Sequence, residues 1–313
     1  MPHPPFHHGH HPLGRGCHAW LQPEGGWGLS NVGLIAGDGA SLLVDTLFDV
    51  RSTRQMLDGL ADATAQSPIT TVVNTHGNPD HWFGNQLLAG AEIIAAEASA
   101  REMREVGPGE VREMCAAGGP GGAFANDVFG RFALEEVVPT YPTRTFEDRL
   151  DLDIGGIEVQ LIDVGPAHTG ADTVVYVPSA RTVFTGDIVF AGATPIVWAG
   201  PVGNWLKACE ALLDLDADTI VPGHGPVTGK ETVRETGAYL EFLLEEASSR
   251  FTAGMPVTDA VADIDLGRFA RLGESERLAV NVHAVYRELD PTLPVLVGRQ
   301  AFCCMAGLRK DFR

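Results

Sequence analysis

The chain has 313 residues, 44% hydrophobic and 20% charged. That composition supports a sizeable core and excludes an intrinsically disordered chain. The 22 basic and 41 acidic residues leave a net charge of −19, a field that repels phosphate backbones and argues against a nucleic-acid partner.

Six of the 11 histidines (His3, His7, His8, His10, His11 and His18) lie in the first 18 residues, among Pro2, Pro4, Pro5 and Pro12. Proline fixes φ and removes a donor, so residues 1–18 are expected to form a disordered tail. Their composition also permits a loose metal-binding tract. There is no apolar h-region, so no secretory signal is expected. From Val32, VGLIAGDGASLLVDTLFD reads as two strands around a Gly-Asp-Gly turn. A helix follows from about Ser52 to Ala65, with Ser52 as its N-cap. ITTVVNT is a β-branched strand running up to His76. A helix from about Trp82 to Leu88 and the short strand EIIAA come next. From about Glu97 to Pro139 the pattern is helical with a break at Gly118–Gly122, and reads as an insertion. Strands resume with LDLDIGGIEVQLIDV, DTVVYVP and RTVFTGD. A helix from about Asn204 to Leu213 leads to the strand TIVPGHG. The remainder is mostly helical, from Lys230 to about Ser249 and from about Glu274 to Glu288. This alternation argues for an α/β layered domain. No apolar run reaches the roughly 18 residues of a membrane-spanning helix. Cys17, Cys115, Cys209, Cys303 and Cys304 lack metal spacing and read as reduced thiols of a cytoplasmic protein.

Beyond the tail stand five histidines: His76, His81, His168, His224 and His283. The first four sit in segments rich in Gly, Pro, Asp or Asn that follow β-type runs. Asp187 ends RTVFTGD in the same way. Side chains at strand ends are held by the sheet yet project into a cleft. One strand-end histidine is more often structural. Four histidines together with Asp80 and Asp187 point to a metal site, because imidazole and carboxylate suit zinc, iron and manganese. His283 lies mid-helix in ERLAVNVHAVYREL and reads as a packed or surface residue.

These motifs resemble the metallo-β-lactamase-fold superfamily, from about Asn31 to Gly229. The family's His-x-His-x-Asp-His motif stands here as His76-Gly77-Asn78-Pro79-Asp80-His81. The lone histidine matches His168, the bridging aspartate Asp187 and the last histidine His224. The resemblance implies an α/β fold, the αβ/βα four-layer sandwich, over residues 19–240, with the metals at one edge between the sheets. The insertion at 97–139 and a helical extension at 241–313 are added to it. It also implies two metal positions: His76, residue 78, His168 and Asp187 at one, and Asp80, His81, Asp187 and His224 at the other. Asn78 departs from the pattern. An amide oxygen ligates zinc more weakly than imidazole, so the first position is expected to bind less tightly or through a water. Alternatively, Asn78 only caps the turn and the site is mononuclear. The cofactor expected is zinc, one or two per chain, with iron or manganese as alternatives.

THGNPDHWFGNQL also resembles a subgroup with Asn at this position, associated with actinobacterial enzymes of which some act as thioesterases or ring cyclases in aromatic-polyketide (antibiotic) assembly. The chemistry implied is hydrolysis of an ester, thioester or lactone. Two metals about 3.5–4 Å apart share a hydroxide that attacks the carbonyl. Asp187 bridges the pair, and Asp80 ligates the second metal or, if that metal is absent, takes up a proton. The alternatives are a metal-dependent polyketide cyclase, a non-haem iron oxidoreductase and a metal-binding protein without catalysis. The charge disfavours a nuclease and the missing secretory signal a β-lactamase.

A metal-bound histidine usually donates its other N–H to a carboxylate or carbonyl. Asp45, ending SLLVD, is a candidate for that role and equally a turn residue; Asn85 and Thr169 are lesser candidates. Trp27, Trp82, Phe83 and Trp198 are expected to line the pocket, and aromatic walls suit a small, flat, hydrophobic substrate. The insertion, with Met103, Met114, Phe124, Phe129 and Phe132, reads as a lid or as the surface of a homodimer.

Overall fold

The computed structural model describes residues 3–23, 26–296 and 298–309. The first two residues of the expected tail, and residues 297 and 310–313 of the expected extension, lie outside them. The described residues form two sheets that stack face to face. One has seven strands in sequential order: β1 (Gly9–Gly14), β2 (Cys17–Leu21), β3 (Val32–Ala36), β4 (Ser41–Val44), β5 (Ile69–Val73), β6 (Glu92–Ala96) and β7 (Arg144–Phe146). The other has five: β8 (Arg149–Ile154), β9 (Ile157–Asp163), β10 (Thr173–Val177), β11 (Thr182–Phe184) and β12 (Thr219–Val221). Pairing is antiparallel from β1 to β4 and parallel from β4 to β7. In the second sheet only β11–β12 is parallel.

The layering follows from period-two alternation along the strands. Leu42 and Val44 of β4, with Val175 and Val177 of β10, face the space between the sheets. Leu43 faces outward against Met56 and Leu60, and Val174 and Tyr176 face outward against Trp205 and Leu212. The outer layers are α1 (Val50–Gly59) and α2 (Ala61–Thr64) on the first sheet and α6 (Val202–Asp214) on the second. Gly33 of β3 lets the sheets approach: a Cβ there would lie 2.4 Å from the Phe184 ring.

Three expectations are corrected. Residues within the expected disordered tail form β1, paired antiparallel with β2. β1 is an edge strand with an irregular register between Pro12 and Gly14, the setting in which a strand tolerates proline. The helix expected from Ser52 begins at Val50. Its cap is Asp49, whose side chain accepts the Ser52 N–H at 2.7 Å. The helix expected at Trp82–Leu88 is a 3₁₀ stretch over Phe83–Leu88.

The insertion holds α3 (Glu97–Glu102), α4 (Pro108–Ala116) and α5 (Gly119–Phe129). After the sandwich come α7 (Lys230–Thr252), α8 (Val257–Asp263), α9 (Leu278–Leu289) and α10 (Gly298–Ala306). The extension shares a hydrophobic core with the second sheet, in which Leu243, Val282 and Phe302 belong to one cluster with Val183 and Trp205. No helix among the described residues is long and apolar enough to cross a membrane.

Candidate metal centre

Four loops at one edge of the sandwich bring the expected residues together. His76 follows β5, and His81 closes a 3₁₀ turn over Pro79–His81. His168 follows β9, Asp187 follows β11 and His224 follows β12. His76, His81, His168, Asp187 and His224 are all buried, and Asp80 is partly so. Two groups form, His76–His168–Asp187 and Asp80–His81–His224; within each, the ligand atoms lie within 4.8 Å of one another. Asp187 sits between the groups. Its carboxylate is 3.3 Å from His81 Nε2 and 3.4 Å from the Nε2 atoms of His168 and His224, with His76 Nε2 at 3.9 Å. Asp80 Oδ2 is 3.4 Å from His224 Nε2 and 3.8 Å from His81 Nε2.

Each histidine has its Nδ1 engaged, which leaves every Nε2 pointing inward. His81 Nδ1 donates to Asp45 Oδ2 at 2.8 Å, and His168 Nδ1 to the Ile196 carbonyl at 2.7 Å. His224 Nδ1 donates to the Leu29 carbonyl at 3.1 Å. His76 Nδ1 meets Thr75 Oγ1 at 2.9 Å, while that hydroxyl donates to Asp45 Oδ2 at 2.8 Å. This is how a protein fixes the tautomer of a metal-ligating imidazole. Asp45 thus serves two histidines. It stands at φ +65°, a conformation unfavourable for a residue with a Cβ and typical of strained functional positions.

The donor set fits a cation. His76 Nε2, His81 Nε2 and Asp187 Oδ1 are buried with no hydrogen-bond partner, a costly arrangement for polar atoms unless something else satisfies them. Burial pulls the His76 imidazole well below its usual pKa, and pulls His168 down to about 4. Burial also opposes charge on Asp187, yet His224 and His81 outweigh it and hold this carboxyl well below the usual range. Gly223 is required by close approach: a Cβ there would lie 1.9 Å from Asp187 Oδ1.

Asn78 brings its Nδ2 within 2.9 Å of His168 Nε2, at the rim of the first group. Asn85 is buried but touches no ligand side chain. It bonds to Asn74, whose Nδ2 donates to the His81 carbonyl at 3.0 Å. Thr169 bonds to Asp172 rather than to a histidine.

A cavity of about 370 Å³ opens over the cluster, with Asp80, Asp187 and His224 in its lining. Trp27 and Trp198 lie in its wall with Phe48, Phe129, Phe190 and Phe302. Trp82 and Phe83 do not line it, which corrects that expectation. Both are fully buried beneath the loop, because the 3₁₀ turn after His81 rotates them into the core with Phe48 and Leu134. Trp82 Nε1 donates to the Gly77 carbonyl at 3.0 Å and braces the metal loop from below.

Two supports had escaped sequence reasoning. Asp172 accepts N–H bonds from Ala167 and Thr169, stapling the loop that carries His168. Asn31 Nδ2 donates to the carbonyls of Pro222 and Gly225, clamping the loop that carries His224. An Asp after GA and an Asn before a strand carry no distinctive local signal.

The chain is similar to several known proteins. A relative from Nocardioides sp. (strain JS1661), 2,4-dinitroanisole O-demethylase subunit alpha, is 30% identical over 198 residues, 61% of this chain and 51% of that protein. A linear primary-alkylsulfatase from Pseudomonas sp. is 29% identical over 221 residues, 62% of this chain and 41% of that one. The chain therefore spans about half the length of these curated relatives or less. Among solved structures, the stereoselective inverting sec-alkylsulfatase of Pseudomonas sp. superposes with a TM-score of 0.66 at 19% identity, covering 91% of this chain and 51% of that one. A metallo-β-lactamase from Pontibacter korlensis gives 0.57 at 19% identity, covering 74% and 98%. The profile of the Metallo-beta-lactamase superfamily matches residues 25–224, and the chain belongs to that superfamily.

Proposed function

We propose that the protein is a zinc-dependent hydrolase of an ester, thioester or lactone carried on a flat, apolar body. The observation that supports this most is the position of the His/Asp cluster in the floor of an aromatic-walled cavity. His76, His168 and Asp187 would hold one metal, and Asp80, His81 and His224 the other, with Asn78 at the weaker position. Bound metal supplies Lewis acidity and a water of lowered pKa at that floor.

The chain's own residues do the rest. Asp45 and Thr75 hold the rings of His81 and His76 in one tautomer. Trp27, Trp198 and Phe190 exclude bulk water and receive the apolar body of the substrate. Asp80 reaches the cavity with its side chain 15% exposed, against 4% for Asp187, and where the second position holds no metal it is the carboxylate placed to take up and return a proton.

The test is turnover of 4-nitrophenyl esters, naphthyl thioesters and aryl lactones, with and without chelator. We expect hydrolysis that chelation abolishes and added zinc restores, and that Asp187→Ala removes. Chelation-insensitive turnover, or turnover confined to alkyl sulfates, would overturn this reading of the bond cleaved.

A further inference from the structure

Arg277 lies in the extension, beyond the residues matched by the superfamily profile, yet it lines the cavity above the metal cluster. It is 2% exposed. Its guanidinium carbon sits 4.4 Å from the centre of the Trp27 ring and 5.0 Å from that of Phe190. Phe190 in turn stacks on His224, with ring planes 1° apart. A single aromatic ring therefore separates a fixed positive charge from the metal floor.

The hydrogen-bonding of this guanidinium is incomplete. Nη1 donates to the Thr194 carbonyl at 2.7 Å. Nε is buried with no partner, and Nη2 makes no hydrogen bond among the described residues. The nearest carboxylate, Glu274, stands 4.0 Å from Nη1, too far for a hydrogen bond. Glu276, next in sequence, is occupied by the Trp27 indole N–H at 3.1 Å. Arginine cannot shed its proton to escape burial, and a buried charge without a close partner is costly. The Nε–Nη2 edge of a guanidinium matches two oxygens of one oxyanion.

We propose that Arg277 is the anion-recognition element of the cavity, and that the substrate carries an acidic oxyanion, a carboxylate or a sulfur oxyacid group, on its apolar body. This rests on the reading that the cavity receives the substrate and adds the substrate's charge to it. The net charge of −19 repels anions at long range, but salt screens that field beyond about 8–10 Å, so recognition is local. The trait belongs to the extension: residues 274–277 carry the guanidinium, and Leu296 and Phe302 close the same wall.

The experiment is calorimetric titration of the full chain, as purified with its metal and again after chelation. The probes are 2-naphthoate, 2-naphthalenesulfonate and the neutral 2-naphthol. In the wild type we expect at least one of the two anions to bind roughly tenfold or more tighter than 2-naphthol, metal present or not. Preference for one anion over the other identifies the acidic group. Arg277→Gln should weaken the preferred anion roughly ten- to a hundredfold while leaving 2-naphthol within about twofold. Arg277→Lys, which keeps the charge without the fork, should fall between. Three results would overturn the proposal. One is a wild type that does not prefer an anion. Another is an anion affinity lost on chelation but indifferent to Arg277→Gln, which places the anion on the metals. The third is an equal loss of anion and naphthol binding, which makes Arg277 a packing residue. The wild-type comparison stands even if Arg277→Gln does not fold. None of these affinities depends on turnover, so failure of the hydrolase reading would show separately.

Discussion

At the scale of single residues, the centre is organised by what the histidines do with Nδ1. Asp45 is the key partner, since it accepts hydrogen bonds from His81 Nδ1 and from both the N–H and the hydroxyl of Thr75. Asp45→Asn tests this. Asn tolerates the positive φ, so the backbone is kept, but the amide lacks the second acceptor oxygen. Metal affinity should fall roughly ten- to a hundredfold, read by competition with a chromophoric chelator. Asn78→His should do the opposite at the first position, adding an imidazole beside His168 and raising metal affinity there. Unchanged metal content and affinity would show that residue 78 is not a ligand position. The side chains of the cluster were legible in sequence because they sit in segments rich in Gly, Pro, Asp or Asn that follow β-type runs. Their partners were less so. The carbonyls of Leu29 and Ile196 have no sequence identity to read, and reach the rings only through the fold. Trp82 and Phe83 were misassigned because adjacency to a ligand says nothing about which way a 3₁₀ turn points its next residues.

At the scale of elements, local pattern and long-range pairing were not equally readable. Strands β3 to β6 and β8 to β12 follow apolar or alternating runs that sequence displays directly. β1 does not, since its histidines and prolines become a strand only by pairing with β2, a contact that local propensity does not encode. The spacing between the sheets depends on a similar non-local fit, Gly33 against Phe184. Gly33→Ala would press a methyl into that ring and should destabilise the fold by about 1–3 kcal/mol, measured as a lower denaturant midpoint at unchanged slope. Full stability in that variant would mean that the sheets have slack there.

At the scale of the whole molecule, a sandwich edge supplies the candidate metal ligands, while the insertion and the extension complete a cavity wall begun by Trp27, Phe48, Phe190 and Trp198. Phe129 comes from the insertion and Phe302 from the extension, and both contact Trp27. Sequence showed these two segments only as helical stretches, and α5 and α10 meet through contacts between distant parts of the chain. Their packing onto the sandwich brings Arg277, Leu296 and Phe302, which lie beyond the residues matched to the superfamily, into the cavity lining. The proposed function requires that the cluster of His76, His81, His168, His224, Asp187 and the partly buried Asp80 hold the metal on which activity depends. The measurement that tests it most directly is metal content by elemental analysis, on protein purified without added metal and lacking residues 1–8. We expect one to two zinc per chain. We also expect loss of that zinc in Asp187→Ala, and return of activity in proportion to zinc restored to chelated wild type. Wild-type protein that contains no metal, or retains full activity after complete chelation, would contradict it.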